Sequence, residues 1–214
     1  MIAVLTGDLV NSTKMSDEIY SDAIANLKRL LKTARQKYQA VGEIYRGDEF
    51  QIQFPDPIHA IECTLLIKLA LQISKFSKKP LQSTLSLAYG SHSILDDKPN
   101  TSSGPVFINS GRGLDKTQRG DISVSFETTV QKSDKEILLL TQFLNHQLNR
   151  LTRTQTELLY QYIESNYAEH KKIADITGTS RQNISNRLGN IGAFLVRDYI
   201  KIINMRVNNK AAIK

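Results

Sequence analysis

The chain has 214 residues, 40% hydrophobic, 23% charged and 7% aromatic, with a net charge of +7 and one cysteine. That length admits one large domain or two of ordinary size, and a lone cysteine excludes a disulfide framework and a thiolate metal centre. The charge is uneven: residues 151–214 carry 10 Lys/Arg against 5 Asp/Glu, whereas residues 1–150 carry 18 against 16. A basic C-terminal third suits a polyanionic partner or is a solvated tail.

Cys63 lies in an apolar helical run and reads as a buried structural thiol. His59, His92, His146 and His170 are isolated and show no zinc spacing. The longest apolar run, CTLLIKLAL at 63–71, is too short to span a bilayer and carries Lys68. No basic segment followed by an apolar one opens the chain, so a cytoplasmic protein without a membrane partner is expected.

In chain order, IAVLT at 2–6 reads as a buried strand. Ser16 can cap a helix to about Gln39, with Ile19, Ala23, Ile24, Leu27, Leu30, Leu31, Ala34 and Tyr38 along one face. Residues 42–54 read as a hairpin turning at Gly47-Asp48. Asp56-Pro57 opens a second helix to about Ser77, and STLSLAY at 83–89 alternates like a strand with one wetted face. Strand, helix, strand, strand, helix, strand is the order of the ferredoxin-like split β-α-β arrangement, so an α+β fold is expected. A polar, mobile loop is expected over 91–103, then a helix at 104–115, a strand at 121–126 and a helix from a Ser133/Glu136 capping box to about Leu148. From Thr152, which forms a capping box with Gln155, the pattern is all-helical. The domain boundary is expected near Arg150, dividing 1–150 from 151–214. No Pro/Gly/Ser linker lies there, which suits two parts that pack together.

KKIADITGTSRQNISNRL at 171–188 meets the spacing of a helix-turn-helix. Ala174 is small where two helices would cross, and Gly178, four residues on, can take the left-handed turn conformation. Ile184, six further, would plug the core, and Ile173, Ile176 and Leu188 would complete the apolar face. Ser180 would cap the second helix and leave Arg181, Gln182, Ser185, Asn186 and Arg187 outward. Such side chains hydrogen-bond base edges or phosphates of double-stranded DNA; a solvated helical hairpin is the plainer reading.

Two further runs carry chemistry: VLTGDLVNST at 4–13 and YRGDEFQIQF at 45–54. Each sets one aspartate, Asp8 or Asp48, at the end or turn of a β-branched run. Taken singly, these are turn or capping residues. As a pair at one sheet edge they suit Mg²⁺ or Mn²⁺ held against phosphates, since hard cations take oxygen ligands. Hairpin alternation turns Glu49 away from Asp48.

These runs, followed by GPVFINSGRGLD at 104–115 and RGDISVS at 119–125, resemble the class III nucleotide cyclase homology domain over roughly residues 2–126. With the C-terminal pattern, the whole chain resembles the SatD family. The resemblance implies that Asp8 and Asp48 bind the metals, that Leu9 offers a backbone carbonyl, and that Val10, Asn11, Ser12 and Thr13 face nucleotide phosphates. It implies that Arg112 stabilises the transition state, with Asn109 beside it. Active sites in that family form between two domains, so a homodimer is implied.

Ile44 stands where adenylate cyclases carry a purine-selecting lysine, and Glu49 where a glycine is common. Asn109 precedes Arg112 by three residues instead of four, and Gly7 replaces a threonine. These departures bear on base choice and turnover more than on metal and phosphate. The resulting expectation is a DNA-binding regulator with a cyclase-like nucleotide and metal sensor. Two rivals are a metal-dependent cyclase, or other phosphoryl-transfer enzyme, controlled by its C-terminal part, and a scaffold that only dimerises the DNA-binding part.

Overall fold

A computed structural model describes residues 1–74, 80–127 and 134–211. It is mixed α+β, built on one five-stranded sheet. The strands are β1 (Ile2–Leu9), β2 (Val41–Ile44), β3 (Phe50–Phe54), β4 (Ser83–Gly90) and β5 (Ile122–Phe126), in the order β2-β3-β1-β4-β5. The first four pair antiparallel, as the strand–helix–strand–strand–helix–strand order requires, and β5 adds in parallel to β4.

Period-two alternation divides β1. Ala3, Leu5, Gly7 and Leu9 face α1 (Asp17–Tyr38) and α2 (Ala60–Gln72), whereas Ile2, Val4, Thr6 and Asp8 face the other side. There α3 (Pro105–Lys116) lies across β4, β1 and β5. This corrects the wetted face expected for residues 83–89: every residue of β4 is buried, because α2 covers one face and α3 the other. A later element closed what local alternation left open.

Ser16 caps α1 by accepting from the Ile19 N–H, and Gln39 ends it at φ 53°. Asp56 accepts from the Ile58 N–H and opens a short 3₁₀ turn before α2. That helix stops at Gln72, short of Ser77; residues 75–79 and Ser133 of the expected capping box lie outside the described residues. The loop at 91–103 folds on itself through an Ile94–Ser103 bridge.

Four more helices follow α4 (Asp134–Leu148): α5 (Arg153–Glu164), α6 (His170–Thr177), α7 (Arg181–Asn190) and α8 (Ala193–Ala211). The Thr152/Gln155 capping box is formed. Asn145 of α4 bonds both the N–H and the carbonyl of Ile122 at 2.9 and 2.8 Å, fixing the helix to β5. Arg153 Nη2 donates to the Ile73 and Ser74 carbonyls, each at 2.8 Å, just beyond the C-terminal end of α2. Because α2 has the sheet on one side and α5 and α8 on the other, it is apolar nearly all round. One buried apolar cluster therefore runs from β1 to α8, across Arg150.

Gly178 ends α6 at φ 65°, and Ile173, Ala174, Ile184 and Leu188 are buried between α6, α7 and their neighbours. Ile176, expected on that apolar face, is 76% exposed. At about 100° per residue it falls roughly 110° from the midline of Ile173 and Ala174, so the helix turns it to solvent. Cys63 is buried, and desolvation pushes its thiol up to about 12, the condition of an inert cysteine. Among the described residues no helix is long and apolar enough to cross a membrane.

Candidate functional site

The end of β1, the turn after it and the β2–β3 hairpin enclose a cleft of about 400 Å³. Asp8, Leu9, Val10, Asn11, Ser12, Thr13 and Asp48 all line it, so the two aspartates far apart in sequence open on one cleft. The hairpin arm is fixed by an N–H to carboxylate bond: Leu9 N donates to Asp48 Oδ2 at 3.0 Å. Asp8 stands opposite Thr84 in the β1–β4 ladder, and its Oδ1 is buried with no hydrogen-bond partner. A buried, unpartnered carboxylate oxygen is costly in a folded protein, and a cation or donor would satisfy it.

The turn after β1 departs from expectation at one residue. The Val10 N–H donates to the Gln82 carbonyl at 2.9 Å, so this amide braces β4 and is not offered to a ligand. Asn11 takes a left-handed conformation at φ 59°, and Ser12–Lys14 form a 3₁₀ turn along the rim. Glu49 also lines the cleft, against the strand alternation that turned it away, because it belongs to the hairpin turn and precedes β3.

Three cations line the same cleft: Lys14, Arg46 and Arg119. None has an ion-pair partner among the described residues. Sequence reasoning missed all three. Arg46 was signalled only by its place in the hairpin turn, and Arg119 only by the short RGDISVS run. Arg119 reaches the cleft because parallel pairing of β5 with β4 carries the preceding turn to the Asp8 end of the sheet.

Asn109 and Arg112 are not among the cleft residues. Both lie on α3, which crosses β4, β1 and β5, and Arg112 is exposed there. Within one chain, Arg112 and Asn109 therefore lie outside the lining of the cleft on which Asp8 and Asp48 open. Among the described residues no three His, Cys, Asp or Glu side chains cluster as a metal cage. Two carboxylates beside a polar cleft fit a cation that keeps waters and takes substrate oxygens, the usual binding of Mg²⁺.

A second surface lies on α7. Arg181, Gln182 and Asn186 are exposed, Ser185 and Arg187 partly so, and Gln182 Nε2 donates to Asn186 Oδ1 at 3.2 Å. Ser180 accepts from the Asn183 N–H at 3.2 Å and so caps the helix.

No protein-family model matches the chain, and no curated protein matches it. In fold it is similar to the guanylyl cyclase Cya2, with a TM-score of 0.45 and 17% identity over 64% of this chain and 77% of that one. It is similar to the adenylyl cyclase CyaB from P. aeruginosa, with a TM-score of 0.44 and 14% identity over 57% and 75%. A third similar structure is the guanylate cyclase domain of RhGC from Catenaria anguillulae in complex with GTP, at 0.44 and 18% over 64% and 80%.

Proposed function

We propose that this protein binds a nucleoside triphosphate with Mg²⁺ or Mn²⁺ in the Asp8–Asp48 cleft and catalyses cyclase-type phosphoryl transfer there. The observation that carries the reading is the unpartnered, buried Oδ1 of Asp8 beside the anchored carboxylate of Asp48. Lys14, Arg46 and Arg119 would meet the phosphate oxygens, with the Asn11–Thr13 turn along the rim and the Leu9 carbonyl as a further metal ligand. A bound cation would acidify the ribose 3′-hydroxyl and offset phosphate charge. Arg112 and Asn109 would act from a second copy, which makes the working form a homodimer. The test is incubation with each nucleoside triphosphate and Mn²⁺, followed by chromatography. A cyclic product supports the enzyme, affinity without turnover a sensor, and no binding leaves only the scaffold reading.

A second reading joins this one, in the arrangement the SatD resemblance implies, with residues 151–214 as a DNA-binding helix-turn-helix part. It is supported by the Gly178 turn, the Ser180 cap, the buried Ala174 and Ile184, and the polar outer face of α7. The double variant Arg181→Ala/Gln182→Ala is expected to lose sequence-specific retention on a DNA fragment selected by the wild type. The loss should be about 100-fold, at about 1–3 kcal/mol for each base contact. Unchanged retention in a gel-shift assay would remove α7 as the reading helix.

A further inference from the structure

Lys68, in the middle of α2, is the only charged residue in the fully buried core among the described residues, at 0% exposure. An ammonium group in such surroundings is costly unless its protons are accepted. Its acceptors are two backbone carbonyls, Gly120 at 2.5 Å and Ser83 at 3.4 Å, and among the described residues no carboxylate lies within ion-pair distance of it. Desolvation pulls its pKa down to about 8, with the carboxylate of Asp121 opposing the fall.

Both carbonyls belong to the framework of the cleft. Gly120 is buried at φ 85° and directly follows Arg119; its N–H donates to Thr84 Oγ1 at 3.3 Å. The Asp121 N–H closes the same turn on the Gln118 carbonyl at 2.9 Å. Ser83 pairs across the ladder with Leu9, whose N–H holds Asp48. The arginine itself is exposed on a long, flexible stem, so the place of its guanidinium depends on how firmly that backbone turn is held.

We propose that Lys68 is a positioning residue for the anion site: its ammonium, gripping the Gly120 and Ser83 carbonyls from behind, fixes the turn that delivers Arg119 to the cleft. This deepens the nucleotide reading and rests on it for its ligand. Lys68 touches no substrate; it acts through Arg119.

The test is a double-mutant cycle with inorganic triphosphate and Mn²⁺ as the probe, read by calorimetry on the full chain, with circular dichroism to check folding. Arg119→Ala is expected to weaken binding about tenfold or more, the loss of a charge-assisted contact. Lys68→Met is expected to weaken it about five- to tenfold alone, and by less than about twofold when Arg119 is already alanine. Losses that multiply, or an unchanged Lys68→Met, overturn the proposal. Lys68→Gln, which keeps a donor without the charge, serves if the methionine variant does not fold, with the same non-additivity expected. Hydrogen exchange on the unliganded protein gives a readout free of ligand: the Gly120 and Asp121 amides should exchange faster in Lys68→Met than in the wild type. If the wild type binds no triphosphate, the nucleotide reading fails by itself. Unaltered exchange at those amides would then still overturn the role of Lys68.

Discussion

Replacing either Asp8 or Asp48 by alanine is expected to weaken Mn²⁺-dependent nucleoside triphosphate binding at least about 100-fold, near 2.7 kcal/mol, and to abolish any cyclic product. The two variants should differ in the absence of ligand. Asp48 Oδ2 accepts the Leu9 N–H, so Asp48→Ala orphans that donor and should cost about 1–2 kcal/mol of stability. Asp8 carries an oxygen that is buried with no hydrogen-bond partner, so Asp8→Ala should leave the thermal midpoint unchanged or raise it. Calorimetric titration with paired melting curves checks both halves. A stable Asp8→Ala that still binds the metal complex would exclude that carboxylate as a ligand.

Gly7→Ala is expected to destabilise the protein by about 2–3 kcal/mol, a fall of roughly 6 °C in Tm for a chain of this size. A Cβ there would stand 2.6 Å from Leu85 Cδ2 and 2.7 Å from Phe50 Cζ. Leu85 and Phe50 are both fully buried in the main cluster, so neither can swing aside without disturbing the helices above. The strain would fall one residue before Asp8, so triphosphate affinity should fall with stability. Thermal melting read by circular dichroism checks the first effect; an unchanged midpoint would mean that this contact relaxes freely.

The helices, hairpin and first strands were legible in the sequence because their signals are local. Ser16, Asp56 and Thr152 cap as their side chains allow, and Gly47 and Gly178 take the positive φ that turns require. The meeting of Asp8 and Asp48 was legible for a related reason: strand ends joined by one helix and one hairpin come back to the same sheet edge. What local pattern did not carry depends on elements distant in the chain. The burial of both faces of β4 needs α3, and the arrival of Arg119 needs β5 to add in parallel. Lys68 marked the apolar run as no membrane span, yet it is itself deeply buried, because its acceptors come from β4 and the turn before β5. Ile176 shows the converse, an apolar side chain that the helix turns outward.

The apolar interior that passes unbroken from β1 to α8 ties the fate of the two ends of this molecule together. A chain cut at Arg150 would bare the flank of α2 on one piece and the inner faces of α5 and α8 on the other, leaving neither a finished interior. A ligand held at the cleft would therefore raise the thermal midpoint of the basic helices that share this interior along with that of the sheet.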